Sequence, residues 1–267
     1  MASRVNAGPG RRRALGQHFL RDPQIARAIV DVVAPTATDL AVEIGPGEGA
    51  LTGELARRAG HLIALEVDRR LVARLRERFP GVEILEADAR TWDYRRLARP
   101  PGGRVVVVGN LPYSMSKPIL AALVAARGAI DAMALMLQRE VAERVAAPPG
   151  GKVYGSLSVL TQLYCDVRVA LRVPPGAFRP PPKVESAVLA VRPLATPRVP
   201  VPDPGRFEAI VLAAFARRRK TLANALASGL GRPPGEVRET VRAAGVDPGR
   251  RAETLTISEF SALVAQL

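Results

Sequence analysis

The sequence predicts an α/β fold, a mostly parallel sheet with helices on both faces, followed by a smaller helical domain. Three observations predict it. Short apolar runs alternate with amphipathic stretches from residue 40 to residue 138, the pattern of strands joined by crossover helices. A glycine-rich turn, Gly45-Pro46-Gly47-Glu48-Gly49, directly follows the first of those strands, as at the ligand-binding end of open α/β sheets. A Pro-rich connector over 196–205 ends the alternation, and only helical periodicity follows it. The expected organisation is a basic N-terminal segment (1–21), an α/β domain (22–195), the linker (196–205) and a helical domain (206–267).

Taken in order, Asp22 caps a helix that Pro23 opens, because Pro suits the first helical position and Asp accepts from free N–H groups. Leu40–Ile44 is a short apolar strand, and 50–59 the helix after the glycine turn. A strand at 61–67, a helix at 69–79 and a strand at 82–85 follow. The unbroken Val105-Val106-Val107-Val108 run reads as a strand buried on both faces. A helix at 117–126, a strand at 132–138 and a helix from Glu140 come next, and 166–173 with 184–191 make a last strand pair. Beyond the linker, Phe207, Val211, Phe215, Leu222 and Leu226 fall on one helical stripe. Thr256 and Glu259 have the spacing of a capping box that opens a final helix.

Composition narrows the function. With 267 residues and 48% hydrophobic content the chain is globular. No apolar run approaches the roughly 20 residues that span a bilayer, and the basic segment 1–13 lacks the apolar core of a secretory signal. Cys165 is the single cysteine, so no intrachain disulfide forms, which fits a cytoplasmic location. His18 and His61 have no partner at metal-ligand spacing, and no metal site is expected. No Gly-x-Ser-x-Gly elbow is present. The formal charge of +14 points to a nucleic-acid partner. A GC-rich genome supplies Arg, Ala and Pro, yet does not by itself leave acids so outnumbered.

The glycine turn lets the backbone bend sharply and approach a ligand, and Gly45 and Gly47 are candidate cofactor contacts. The turn misses the dinucleotide fingerprint, because Ala50 stands where a further glycine belongs. Glu43 and Glu48 place negative charge where a pyrophosphate would sit. A cationic, phosphate-free cofactor fits better, and S-adenosylmethionine, with its sulfonium and ammonium groups, is one. Glu66 ends the second strand about 20 residues on, where a carboxylate accepts both ribose hydroxyls. Asp88, after the third strand, can accept from the adenine amino group. Either acid alone could be a solvated strand-end residue or a helix cap; it is their succession with the glycine turn that signals a site.

Asn110-Leu111-Pro112-Tyr113 closes the Val105–Val108 strand. The Asn110 side chain and the Leu111 backbone offer carbonyls, Pro112 has no N–H to donate, and Tyr113 offers an aromatic face. Such a set suits a base amino group that is to be alkylated. The amine's lone pair is delocalised, so carbonyls that accept its hydrogens localise the lone pair and absorb the growing positive charge, by positioning and electrostatics and without a strong base. Tyr113 would stack on the base. Phe178, in Ala177-Phe178-Arg179-Pro180-Pro181-Pro182-Lys183, is either a second stacking face or a core anchor beside a stiff Pro segment.

From Leu15 to its C-terminus the chain resembles the KsgA/RsmA family of small-subunit ribosomal RNA adenine dimethyltransferases. The motifs that carry the resemblance are Leu15–Leu20, Glu43–Gly49, Glu66, Asp88 and Asn110–Tyr113, with 138–142, 154–158, 178–186 and Arg217–Leu222. His18 stands where many members have Asn, and Ser156 where many have Arg. The resemblance implies a class I S-adenosylmethionine-dependent methyltransferase, Rossmann-like, with a mostly parallel seven-stranded sheet and a small C-terminal helical domain. It implies cofactor contacts at His18 and Leu20. It also implies conversion of two adjacent adenosines in the 3′-terminal hairpin of 16S rRNA to N6,N6-dimethyladenosine, within a pre-30S particle, by a monomer.

Two basic runs are candidate RNA contacts: Arg11-Arg12-Arg13, and Arg217-Arg218-Arg219-Lys220, expected on a helix between Phe215 and Leu222. Rival readings are an Erm-type 23S rRNA adenine dimethylase, a non-catalytic ribosome-assembly factor that keeps the fold, and a nicotinamide oxidoreductase. The failed dinucleotide fingerprint counts against the last of these.

Overall fold

The computed structural model describes residues 18–217 and 219–267. The chain opens with β1 (Phe19–Leu20) and α1 (Pro23–Asp31). Asp22 caps α1 as expected, its carboxylate accepting from the N–H groups of Gln24 and Ile25. β2 (Leu40–Ile44), α2 (Ala50–Ala56), β3 (His61–Glu66), α3 (Arg69–Arg78) and β4 (Glu83–Glu86) follow. Then come β5 (Val105–Asn110), α4 (Ser116–Ala125), β6 (Ala132–Gln138), α5 (Arg139–Ala146) and α6 (Ser156–Gln162). β7 (Cys165–Val173), β8 (Phe178–Arg179) and β9 (Ser186–Pro193) complete the strands. Most boundaries agree with the sequence reading to within a residue or two; α2 stops three residues short of the expected 59.

The main sheet has seven strands in the order β4-β3-β2-β5-β6-β9-β7. β2 pairs parallel with both β3 and β5, β3 with β4, and β5 with β6. β9 is antiparallel to β6 and lies between it and β7. The expected final strand pair is therefore adjacent, but its second member is the one next to β6. Strand order reverses between β2 and β5, and in such sheets the crevice at the carboxyl ends of those strands is the ligand site. All of β2 and Val105–Val108 of β5 are buried, which explains their continuous apolar character. Glu43 is the one acid inside either run.

The chain divides into two compact units, one holding the chain up to Ala142 with Arg168–Arg192, the other Glu143–Val167 with Pro193–Leu267. The segment 196–205 thus lies within the second unit. In that unit α7 (Pro204–Phe215), α8 (Leu222–Leu230), α9 (Pro234–Ala243) and α10 (Ile257–Gln266) share a core with α6. Phe207, Val211, Leu222, Leu226 and Phe260 are buried in it. The capping box of α10 forms as the sequence indicates, Thr256 Oγ1 accepting from the Glu259 N–H and the Glu259 carboxylate accepting from the Thr256 N–H.

One expectation is corrected here. The stripe from Phe215 to Leu222 is not one helix: α7 ends at Phe215, Lys220 N–H donates to the Arg217 carbonyl, and α8 begins after Thr221. The apolar stripe gave no warning. A gap of seven residues between Phe215 and Leu222 equals about two helical turns, so periodicity looks the same whether the helix continues or restarts.

Candidate active site

The crevice at the carboxyl ends of β2 and β5 is a cavity of about 220 Å³. It is lined by His18, Leu20, Gly45, Gly47, Glu66, Asp88 and Asn110 through Tyr113, among others. Chain separation hides this grouping, and the parallel register creates it: Ile44 of β2 is aligned with Leu65 of β3 and Gly109 of β5.

Gly47 has φ +58, and a Cβ there would lie 2.8 Å from Cδ1 of the Phe19 ring. Only glycine meets both conditions. The Gly47 N–H donates to Glu66 Oε2 (3.2 Å), while Glu66 Oε1 accepts from the N–H groups of Val67 and Asp68 (2.9 Å each). Burial raises the Glu66 pKa, and these backbone donors work against the rise. Asp88 is more open. The Arg90 guanidinium and N–H bind its carboxylate and hold its pKa below the usual range.

Asn110 ends β5. Its Nδ2 donates to the His18 carbonyl at 3.0 Å, which sets the amide orientation and leaves Oδ1 as the accepting end. Leu111 N–H continues the ladder to the Met136 carbonyl (3.0 Å). The Leu111 side chain is 1% exposed. It packs in the core beside the carbonyl that the site offers. The Tyr113 hydroxyl is 2.9 Å from Ser186 Oγ, and its ring centroid is 5.7 Å from that of His18. Burial raises the Tyr113 pKa, so the phenol stays neutral.

Phe178 does not reach the cavity. It is 5% exposed and packs in the hydrophobic core. Of the two readings of this residue, the packing is that of the core anchor. Its strand has a different consequence for the site. β8 pairs antiparallel with β1, Leu20 opposite Phe178 and Phe19 opposite Arg179, and His18 Nδ1 is 2.8 Å from the Pro180 carbonyl. This two-stranded clamp holds His18 and Leu20 at the cavity.

The family model for ribosomal RNA adenine dimethylase matches residues 10–267. The chain belongs to this family. The ribosomal RNA small subunit methyltransferase A of Geobacter sulfurreducens is 47% identical over 264 residues, spanning 96% of this chain and 95% of that one. A dimethyladenosine transferase structure from Plasmodium falciparum aligns with TM-score 0.77 at 24% identity, covering 92% of this chain and 96% of that one. The structure of the 23S rRNA methyltransferase ErmE aligns with TM-score 0.69 at 27% identity, covering 93% and 99%.

In this ribosomal RNA adenine dimethylase the sheet is that of the class I S-adenosylmethionine-dependent methyltransferases, and the lining suits that cofactor. Glu66 offers acceptors for a diol, and Asp88 one for an amino group. Val67 is an apolar side chain, 57% exposed, at the cavity. Glu43, 1% exposed, is among the residues around the same cavity, with its carboxylate buried. Sequence reasoning used Glu43 only as negative charge favouring a cationic cofactor and gave Val67 no role. An acid inside a fully buried strand was the available signal for Glu43; Val67 had none, since an apolar strand-end residue is ordinary.

Of the basic residues, Arg217, Arg219 and Lys220 are exposed in the turn after α7. Arg11, Arg12, Arg13 and Arg218 lie outside the described residues. Among the described residues no His/Cys/Asp/Glu group could hold a metal ion, and no helix is long and apolar enough to cross a membrane.

Proposed function

We propose that the protein dimethylates N6 of two adjacent adenosines in the 3′-terminal hairpin of 16S rRNA, in the cytoplasm, acting as a monomer on a pre-30S particle. The observation that carries the reading is Asn110, its amide turned by the His18 carbonyl so that Oδ1 is free to accept, beside Leu111 and Tyr113 at the mouth of the cavity. Full-length similarity near 47% to a small-subunit enzyme supports this substrate over 23S rRNA.

The chain's own residues divide the work. Glu66, Val67 and Asp88 hold the nucleoside end of the cofactor, with His18, Leu20, Gly45 and Gly47 as backbone and apolar walls. Bound S-adenosylmethionine supplies an electrophilic methyl group. Asn110 Oδ1 and the Leu111 carbonyl accept the hydrogens of the target amine, bring its lone pair out of conjugation and stabilise the positive charge it acquires. Tyr113 stacks on the extruded base, held in place by Ser186. The displaced amine proton passes to solvent. Residues 22–195 form the catalytic domain in this reading, and 206–267 the RNA-binding domain. Arg217, Arg219 and Lys220 meet phosphate there, with Arg218 and Arg11–Arg13 assigned the same role from sequence.

Incubation with labelled S-adenosylmethionine, followed by mass spectrometry of the RNA, tests this. Immature 30S particles should gain N6,N6-dimethyladenosine in 16S rRNA, and 23S rRNA should gain none. Methylation of 23S rRNA would favour the Erm-type reaction, and binding without methylation the assembly-factor reading. Neutralising Arg217, Arg219 and Lys220 should flatten the salt dependence of RNA binding and leave cofactor affinity intact.

A further inference from the structure

The Tyr113 ring must hold one orientation before a base can stack on it. Two hydrogen bonds anchor the residue. Its hydroxyl is 2.9 Å from Oγ of the buried Ser186, and its carbonyl accepts from Ser116 Oγ at 3.1 Å. Neither bond fixes the twist of the ring. The hydroxyl oxygen lies on the axis of the last side-chain torsion, so the ring can turn about that axis with both bonds intact, and this torsion is intrinsically soft. Only a contact against the ring itself sets the twist.

His18 makes that contact, with ring centroids 5.7 Å apart and planes inclined by 33°. The pair is not a slot for a base. Stacked bases lie about 3.4 Å apart, so a base between two rings needs centroids about 7 Å apart. The two rings instead pack on each other, at a separation where aromatic pairs attract. His18 is itself held at both ends. Its Nδ1 is 2.8 Å from the Pro180 carbonyl, which can only accept, so Nδ1 carries the hydrogen and the imidazole is aimed. Its own carbonyl accepts from Asn110 Nδ2 at 3.0 Å. One residue thus touches both Asn110 and Tyr113.

We infer that His18 is a positioning residue for methyl transfer, its imidazole setting the twist of the Tyr113 ring while its carbonyl sets the Asn110 amide. This rests on the function proposed above. The imidazole serves the base side of the cavity, where the family resemblance implies a cofactor contact. The β1–β8 pairing, Phe19 opposite Arg179 and Leu20 opposite Phe178, keeps His18 in reach of both groups.

His18→Asn isolates the ring. The Asn Nδ2 stands near the place of Nδ1 and can keep the bond to Pro180, and the backbone carbonyl remains for Asn110. Single-turnover methylation of immature 30S particles by the full-length variant should slow about two- to tenfold, the scale of one aromatic pair. Calorimetric affinity for S-adenosylmethionine should be unchanged. In a Tyr113→Ala background the same substitution should have no further effect, because His18 acts through that ring. A second measurement needs no turnover: in NMR spectra of the ligand-free protein, the Tyr113 ring signal, assigned by its loss in Tyr113→Phe, should move in His18→Asn while the other tyrosines stay in place. A fall in cofactor affinity that accounts for the slower transfer, additive losses in the double variant, or an unmoved Tyr113 signal would overturn the role of His18 alone. Wild-type protein that methylates no particle would overturn the proposed function and this role with it.

Discussion

Asp39 and Glu43 bracket the same strand and are buried to almost the same degree, 2% and 1% exposed. At the amino end of the sheet, Asp39 is saturated with partners. It accepts from the N–H groups of Thr36 (2.9 Å) and Arg104 (2.8 Å) and pairs with the Arg104 guanidinium (2.7 Å). Burial alone would raise its pKa, yet these contacts lower it to about 2. At the carboxyl end, burial pushes the Glu43 pKa up to about 8, and Thr52 beside it opposes the rise only in part. Asp39, just before β2, and Glu43, within it, thus end in opposite charge states at neutral pH. The amino end of the sheet holds its acid ionised in a hydrogen-bonded ion pair, and the carboxyl end buries one without a cationic partner.

The comparison can be broken by substitution, and the largest effect belongs to the ligand end. Asn110→Ala should lower kcat by about 100-fold or more, the scale of losing one preorganised polar group. It should cost far less stability than a change at Asp39. A variant with near-normal turnover would show that the amide does not act on the amine.

Asp39→Asn should destabilise the fold by about 1–3 kcal/mol, the range for breaking a buried hydrogen-bonded ion pair, with the cofactor affinity unchanged. Because the folded pKa lies below the unfolded value, Asp39 contributes stability above about pH 4, and that contribution fades as pH falls toward about 2. Denaturant midpoints of wild type should therefore fall through that acid window, and those of Asp39→Asn should be flatter.

Glu43→Gln should act with the opposite sign. Here the folded pKa is raised, so wild type loses stability as pH rises from about 4.5 to about 8. Without ligand, the variant should melt higher than wild type at pH 8 to 9, and the two should converge near pH 4. A variant that melts lower at pH 9 would mean that the protein stabilises the charged form of Glu43.

The smallest effect is expected at Leu111→Ile. A buried shape change of constant volume costs less than about 1.5 kcal/mol, and kcat should fall only a few-fold, since the reaction uses the carbonyl. A large loss of kcat at unchanged stability would assign the side chain a part in shaping the site.

The positions of Gly45, Glu66, Asp88 and Asn110 were legible because each ends a strand of an alternating α/β pattern. Parallel pairing then brings successive strand ends together with no further information. The partners of those residues were not legible. The bond from Asn110 to the His18 carbonyl and the pairing of Leu20 with Phe178 join residues far apart in sequence, and no local pattern encodes them.

What the sequence determined by itself was therefore the class of fold, the order of its elements and the residues at the mouth of the crevice, since these follow from periodicity, strand ends and backbone freedom at glycine. The tertiary structure decided the rest. It inserted β9 antiparallel beside β6, sent Phe178 into the core and clamped His18 over the cavity. It broke the stripe after Phe215 into a turn, and it buried Glu43 without the cationic partner that Asp39 finds in Arg104. The physical reason is that burial and hydrogen bonding are properties of what the folded chain brings alongside a residue. Two acids so close in sequence can thus acquire opposite charge.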